Sequence, residues 1–374
     1  MKLIDRYIGR EVLLTTLFGV AVLTFVLVLG NLFKQLLDQL VTHGVPLEII
    51  LSAMAYIIPF SLTYTIPWGF LTAVLLVFGK LSGENELTAF RSCGVSITRM
   101  CAPLLCISLV CVAICLWINL DVAPRAQDKM KGTMVRIATE NPMSLFSSDH
   151  VIDDFPGKKI YVENKDGREL KNILVYEMDK DSNVVRMISA KKGELETKNM
   201  EMLLHIYDAR FEQRDPDSPG DWNKIHEGIV MKETVFSISL QDLYEKNRRW
   251  KMPSQSSPME LWREAQATKA ESQTPFTRLK LTLLMTELSK RVAYSMASFA
   301  LALIAVPLAI TAHRKETSIG FLLSFVVALF YFFFTRLGEM ELLRPELHPE
   351  FLVWIPNIVF IGFGGFLFRG LARK

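Results

Sequence analysis

Six apolar runs constrain this chain more than any other feature. They cover about Val12–Phe33, Leu47–Phe78, Ile97–Leu120, Val292–Ala312, Ile319–Leu337 and Phe351–Phe368, each near or above the ~20 residues a helix needs to cross a bilayer. A single run of this kind is equally compatible with a buried core helix, but six in one chain of 374 residues describe an integral membrane protein. The first run is too long for the apolar part of a cleaved signal peptide and has no A-x-A site behind it. A retained signal anchor is therefore expected.

Between about Pro124 and Pro275 the composition is that of an ordinary soluble domain. The formal charge of +3 gives no support to nucleic-acid binding. Lys and Arg in the short loops set the expected orientation. Of the loops on one side, Gln35–Pro46 carries no Lys or Arg and Arg336–Glu350 only Arg336 and Arg344, whereas Lys2, Arg6, Arg10, Lys80, Arg91, Arg99, Arg314, Lys315, Arg369, Arg373 and Lys374 fall on the opposite side. Both termini are expected in the cytoplasm, and the large middle domain outside.

That middle domain reads as mostly β. Short apolar or alternating runs occur at Lys159–Glu163, Asn172–Glu177, Val184–Ala190, Met202–Tyr207, Gly228–Met231 and Thr234–Leu240. Turn chemistry at Asp166-Gly167, at Asp181-Ser182-Asn183 and in Arg214–Trp222 separates several of them. A sandwich, jellyroll or related sheet is expected over residues 123–256. The stretch Ser257-Pro258-Met259-Glu260 matches a capping box with Pro at the first helical position, so a helical connector over 257–278 should return the chain to the membrane. Transmembrane helices then occupy 1–122 and 279–374.

Motifs for bond chemistry are missing from the sequence. It contains no G-x-x-x-x-G-K-[ST] loop, no H-E-x-x-H and no G-x-S-x-G elbow. The five cysteines, Cys93, Cys101, Cys106, Cys111 and Cys115, cluster in or beside the third run without C-x-x-C spacing, so neither a disulfide framework nor a metal site is expected. Gly362–Gly365 lies inside an apolar span, where small residues permit close helix packing.

Two polar features stand out. The first is the segment "GKLSGENELTAFRSCGVSITR", Gly79–Arg99, between the second and third runs. Gly83 should end the long helix. Glu84 and Glu86 fall in the first turn of a new one, where acidic groups favour the helix dipole, and Leu87 and Phe90 share a face. This short helix, about 83–94, reads either as an interfacial helix or as a docking helix for a cytoplasmic partner that supplies energy. The second feature is the set of ionisable groups at the outer ends of two spans: Lys34 and Asp38 on the first, and Glu287, Lys290 and Arg291 on the fourth. Charges at membrane depth are costly. Lys34, Lys290 and Arg291 are therefore expected either to snorkel to the interface or to meet anionic lipid headgroups.

The stretch "IPWGFLTAVLLVFGKLSGENELTAFRSCGVS" (Ile66–Ser96) resembles the second helix and coupling helix of the lipopolysaccharide-export permeases, the LptF/LptG or YjgP/YjgQ family. "LIDRYIGREVL" at the start, "TELSKRVAYSMASFALALIAVPLAI" (Thr286–Ile310) and "WIPN" (Trp354–Asn357) resemble the same family in the same order. The resemblance implies six transmembrane helices with an inserted periplasmic β-jellyroll. The expected role is that of a permease subunit of an ABC-type exporter, paired with a paralogous permease over a homodimeric cytoplasmic ATPase. A single-span periplasmic jellyroll protein and a periplasmic bridge protein are the further partners it implies. Lipopolysaccharide would leave the outer leaflet of the inner membrane through the pair. ATP and Mg would act in the ATPase, with no cofactor in this chain. By motif match Glu84 and Glu86 take the acidic coupling-helix positions that face the ATPase, where the shared face of Leu87 and Phe90 is expected to offer an apolar surface to its groove, and Lys34 lies near the basic cluster that touches lipid phosphates. The competing readings are another ABC-type permease (mechanotransmission or lipoprotein release), a membrane enzyme acting on envelope lipids and, third, a secondary transporter.

Overall fold

The computed structural model describes residues 3–43, 47–140, 149–152, 157–167, 169–179, 184–198, 201–214, 225–239, 252–270, 274–311, 317–340 and 344–372. Contacts divide the chain into two compact units: Met1–Asn31, Met54–Lys129 and Met252–Lys374 in one, Leu32–Ala53 and Met130–Lys251 in the other.

The first unit is helical. Its helices are α1 (Leu3–His43), α2 (Leu47–Gly83), the short α3 (Glu86–Ser92), α4 (Ile97–Trp117) and α5 (Ala123–Glu140), then α6 (Pro258–Ala270), α7 (Pro275–Thr311), α8 (Thr317–Met340), α9 (Pro349–Leu352) and α10 (Ile355–Ala372). Parts of α1, α2 and α5 belong to the second unit. Six helical segments among the described residues are long and apolar enough to span a membrane, one for each apolar run of the sequence. The chain is a multi-pass membrane protein with an inserted β domain. At 37 residues, α2 and α7 are each about 55 Å long, against a hydrocarbon core of ~30 Å. Both must tilt or project beyond the bilayer.

α2 and α7 form the centre of this unit. Phe70, Leu71, Val74 and Phe78 of α2 share one core with Ala300, Leu301, Ala305 and Val306 of α7, all 1% exposed or less. In lipid the hydrophobic effect does not hold helices together, so close packing and interhelical hydrogen bonds take over. Both are present. A Cβ on Gly69 would stand 2.7 Å from Val20 Cγ2 and 2.9 Å from Val20 N, so α1 and α2 nearly touch there. Gly364, within the small-residue run of the sixth span, meets Leu303 of α7 in the same way, at 2.9 Å; Gly362 and Gly365 face open space. The polar links are Thr24–Thr65 (2.8 Å), Thr72 to Ser324 (3.1 Å), and Tyr331 to Asn357 Oδ1 (2.9 Å), with Asn357 Nδ2 donating to the Ala293 carbonyl (2.8 Å). Between α4 and α5 one π-helical turn, Ile118–Val122, carries Asn119, whose amide donates to Ser295 Oγ at 3.0 Å.

The capping box forms as read. Ser257 N donates to Glu260 Oε2 (2.9 Å) and Glu260 N to Ser257 Oγ (3.2 Å). α6 then turns Leu261 and Ala265 onto Leu284 of α7.

The second unit holds one antiparallel sheet: β1 (His150–Ile152), β2 (Lys158–Asp166), β3 (Glu169–Met178), β4 (Val184–Lys198), β5 (Glu201–Arg214) and β6 (Ile225–Ser239). Among the described strands the sheet expected as a jellyroll is a meander, in the order β1-β2-β3-β4-β5-β6 without crossovers. The strands are longer than the sequence runs. The two runs on either side of Lys232-Glu233 are one strand, β6, and the turn Asp181-Ser182-Asn183 and most of Arg214–Trp222 lie outside the described residues.

A transverse line explains the difference in length. Register passes over Glu163, Asn172, Lys191, Asp208 and Lys232, one residue on each of β2 to β6. Asn172 and Asp208 have positive φ, 51° and 52°. Along β4 the buried positions shift from Ile188 and Ala190 to Gly193 and Leu195, and along β5 from Met202, Leu204 and Ile206 to Ala209. One extra residue per strand keeps the same face inward on both sides of the line. Side chains from both halves accordingly form a single core. Alternation read from sequence stops at that line, so the runs looked short.

Candidate functional site

Two polar clusters lie along α2 within the helical unit, one past its C-terminal end and one beside its middle. The first surrounds the turn after it. Glu84 N donates to the Lys80 carbonyl (2.9 Å) and Asn85 N to that of Ser82 (3.2 Å), closing α2 at Gly83. Glu84 and Asn85 form the turn. Asn85 takes a left-handed conformation, φ 60°, which Asn tolerates because its short amide bonds locally. α3 begins at Glu86, so only this one of the two carboxylates stands in its first turn. Gly94, at φ 81°, ends the segment by donating to the Arg91 carbonyl at 2.9 Å.

Leu87 and Phe90 were expected to offer an apolar face to a partner. Their placement corrects this: Leu87 is 5% exposed within the unit's own core, and Phe90 packs half-buried against the same core. These two anchor α3 to the chain because its neighbours Ile8, Leu81 and Ile97 are apolar on that side. The outward face is mostly polar: Glu84, Asn85, Thr88, Arg91 and Ser92 are exposed beside the small Ala89, and Glu86 is partly so. Glu86 Oε2 accepts from Tyr7 OH of α1 at 3.4 Å.

The second cluster joins α7, α8 and α2. Lys290 Nζ lies 3.5 Å from Glu287 Oε2 and 3.2 Å from Glu339 Oε1 of α8. Tyr294 OH donates to the same Glu339 Oε1 at 2.6 Å, and Arg336 pairs with Glu339 Oε2. Tyr64 of α2 packs edge-on against the Tyr294 ring, centroids 5.7 Å apart. Two cations, Lys290 and Arg336, face two carboxylates, Glu287 and Glu339, so the cluster is balanced in formal charge, with Arg336 its most exposed ionic member.

Arg291 faces the other way. Its guanidinium is 5% exposed and donates to Glu287 Oε1 (3.2 Å) and to three carbonyls before α6: Ser256 (3.0 Å), Pro253 (3.0 Å) and Ser254 (3.1 Å). It holds the start of the connector with a planar fork that Lys lacks. Lys34 lies on α1, but its side chain, like that of Asp38, falls outside the described residues.

Sequence reasoning did not find Asp5, Tyr7 and Glu11 of α1, or Tyr64, Tyr294 and Glu339. Only Glu339 carried a signal, as an acid at the end of an apolar span. All five cysteines are free, and Cys101, Cys111 and Cys115 are buried. Among the described residues no group of three His, Cys, Asp or Glu is placed to hold a metal ion.

The model of a family described as lipopolysaccharide export system permease LptF/LptG matches residues 6–370. The lipopolysaccharide export system permease protein LptF of Escherichia coli K12 is 23% identical over 175 residues, which is 46% of this chain and 47% of that protein. Proteins of the same name from Escherichia coli O157:H7 and Shigella flexneri match to the same extent. The chain thus spans about half the length of the curated relatives it matches. The family match runs through both polar clusters and the β domain, and on its extent the chain belongs to the LptF/LptG family of lipopolysaccharide export system permeases.

Proposed function

We propose that this chain is one permease subunit of an exporter that takes lipopolysaccharide from the outer leaflet of the inner membrane and passes it to a periplasmic bridge protein. ATP is hydrolysed by a separate homodimeric ATPase on the cytoplasmic side, which carries ATP and Mg. The family match over residues 6–370 supports this reading more than any other observation. The exposed polar face of α3 is its mechanical counterpart. Glu84 and Glu86 meet basic or backbone donors on the ATPase, while Leu87 and Phe90 carry the push inward to α2 and α4. The exposed apolar faces of α1 (Leu17, Phe18, Phe25) and α8 (Phe325, Phe330, Phe333) are available to lipid and to a paralogous permease. A single-span periplasmic jellyroll protein completes the assembly.

On the lipid side, Lys34 and Lys290 meet phosphates of the lipid. Arg336 shares the cluster of Lys290, whereas the donors of Arg291 are largely committed to the connector.

Co-expression with the candidate ATPase and paralogue, followed by mass spectrometry of subunits and bound lipid, tests the reading. Recovery of all three proteins with lipopolysaccharide is expected. A Glu84→Ala/Glu86→Ala chain should lose ATPase association or uncouple hydrolysis from lipid release. Wild-type assembly, hydrolysis and export by that chain would refute the coupling role, and recovery of the complex with no lipid would refute the substrate.

A further inference from the structure

The first three turns of α1 hold more of the α2–α3–α4 region than the sequence suggests. Asp5, Ile8 and Val12 share one helix face and are 7%, 1% and 0% exposed, whereas Leu13, Leu14, Leu17 and Phe18 further along the helix are bare. Polar residues of these turns reach three separate segments. Asp5 Oδ2 accepts from Arg99 Nη2, at the start of α4, at 2.8 Å. Tyr7 OH donates to Glu86 of α3 at 3.4 Å. Glu11 Oε1 meets Lys80 Nζ, at the end of α2, at 3.2 Å. Ile8 and Val12 share a core with Leu81, Leu87, Ile97 and Met100. The coupling helix and both of its flanks are therefore tied to one element.

We propose that these turns form a bracket that makes α1 move with α3, so that displacement of α3 enters the first span directly as well as through α2 and α4. Asp5 and Arg99 are its positioning residues. Their bond is short and charge-assisted, and the carboxylate is 9% exposed. Lys80–Glu11 is half-exposed and contributes little strength by itself, but with Tyr7–Glu86 it sets the direction in which α1 follows. Beyond the bracket α1 is held to α2 at Gly69–Val20 and by Thr24–Thr65, so the two helices share the movement. This inference rests on the reading of α3 as the element that receives work from an ATPase.

The test uses the full chain in lipid nanodiscs, with its other cysteines replaced and spin labels on Cys93, at the end of α3, and on Phe18 of α1. A narrow distance distribution is expected in the parent. It should broaden in Asp5→Arg and in Arg99→Asp, and narrow again in the double variant with the charges exchanged. Should a reversal fail to fold, Asp5→Asn and Arg99→Gln replace it and are expected to broaden the distribution. A broad distribution in the parent, unchanged single variants, or a double variant as broad as the singles while melting like the parent would overturn the bracket. With ATPase and nucleotide bound, the parent distance should stay constant, and each single variant should lose roughly tenfold in lipid released per ATP, within the range usual for coupling between sites. A parent distance that changes with nucleotide would also overturn it. A chain that binds no ATPase would instead refute the functional reading, while the distances in the chain alone would still decide the bracket.

Discussion

Replacing Arg291 by Ala should destabilise the helical unit by about 3–4 kcal/mol. Breaking a buried ion pair from one side typically costs about 3–5 kcal/mol, because a charge is left without its partner in a low-dielectric setting. Here Arg291 is 5% exposed and Glu287 14%. Removing the guanidinium would also strip donors from the Pro253, Ser254 and Ser256 carbonyls. Two features moderate the loss: Lys290 Nζ stays within 3.5 Å of Glu287, and water can enter to meet the freed carbonyls. These place the expectation in the lower half of the range. Three kcal/mol is a change of about 100-fold or more in the unfolding equilibrium, well within reach of an SDS titration of the purified chain in mixed micelles. Arg291→Lys keeps the charge opposite Glu287 but cannot hold three carbonyls with one ammonium. It should cost about 1–2 kcal/mol, the equivalent of one or two ordinary hydrogen bonds. An Arg291→Ala chain within about 0.5 kcal/mol of the parent, the usual scale for surface substitutions, would refute the clamp. If that chain also lost lipid crosslinking, the guanidinium would belong to the lipid phosphate after all.

Gly69→Leu should separate α1 from α2, since even a Cβ would stand 2.7 Å from Val20 Cγ2. Disulfide trapping between cysteines placed at Thr24 and Thr65 should then fail, where the parent pair closes readily. Asn357→Leu removes both the acceptor of Tyr331 and the donor to the Ala293 carbonyl. Interhelical bonds in membranes average about 0.6 kcal/mol with a maximum near 1.7, so a loss of about 1–2 kcal/mol is expected by the same titration, and none would mean that this polar junction is replaceable. In the β domain, Asp208→Gly should stabilise by up to about 1 kcal/mol, because the left-handed conformation at φ 52° costs an L-residue roughly that much. A lower melting temperature of that variant would show that the Asp208 side chain contributes more than its backbone strain costs.

The elements of this protein were legible in its sequence wherever local chemistry defines them. The six apolar runs each correspond to a candidate span, because the length of a helix and its avoidance of charge are properties of consecutive residues. The capping box at Ser257–Glu260 and the Asp166-Gly167 turn follow for the same reason. Facing and partnership were not legible. Leu87 and Phe90 have the same spacing whether they point at a partner or at Ile8 and Ile97, and only the position of α1 against α3 decides. Asp5 and Arg99 are separated by 94 residues, and Lys290 meets Glu339 only because the fold brings the end of α8 within side-chain reach of α7; no periodicity encodes either pair. Arg291 read as a lipid-facing cation because its exposure was unknown. In the sheet, alternation ended at Asn172, Lys191 and Asp208, and the strands were cut short there. Hydropathy and turn chemistry act over a few neighbouring residues, whereas ion pairing, burial and sheet bending depend on groups that only the folded chain brings within a few ångströms.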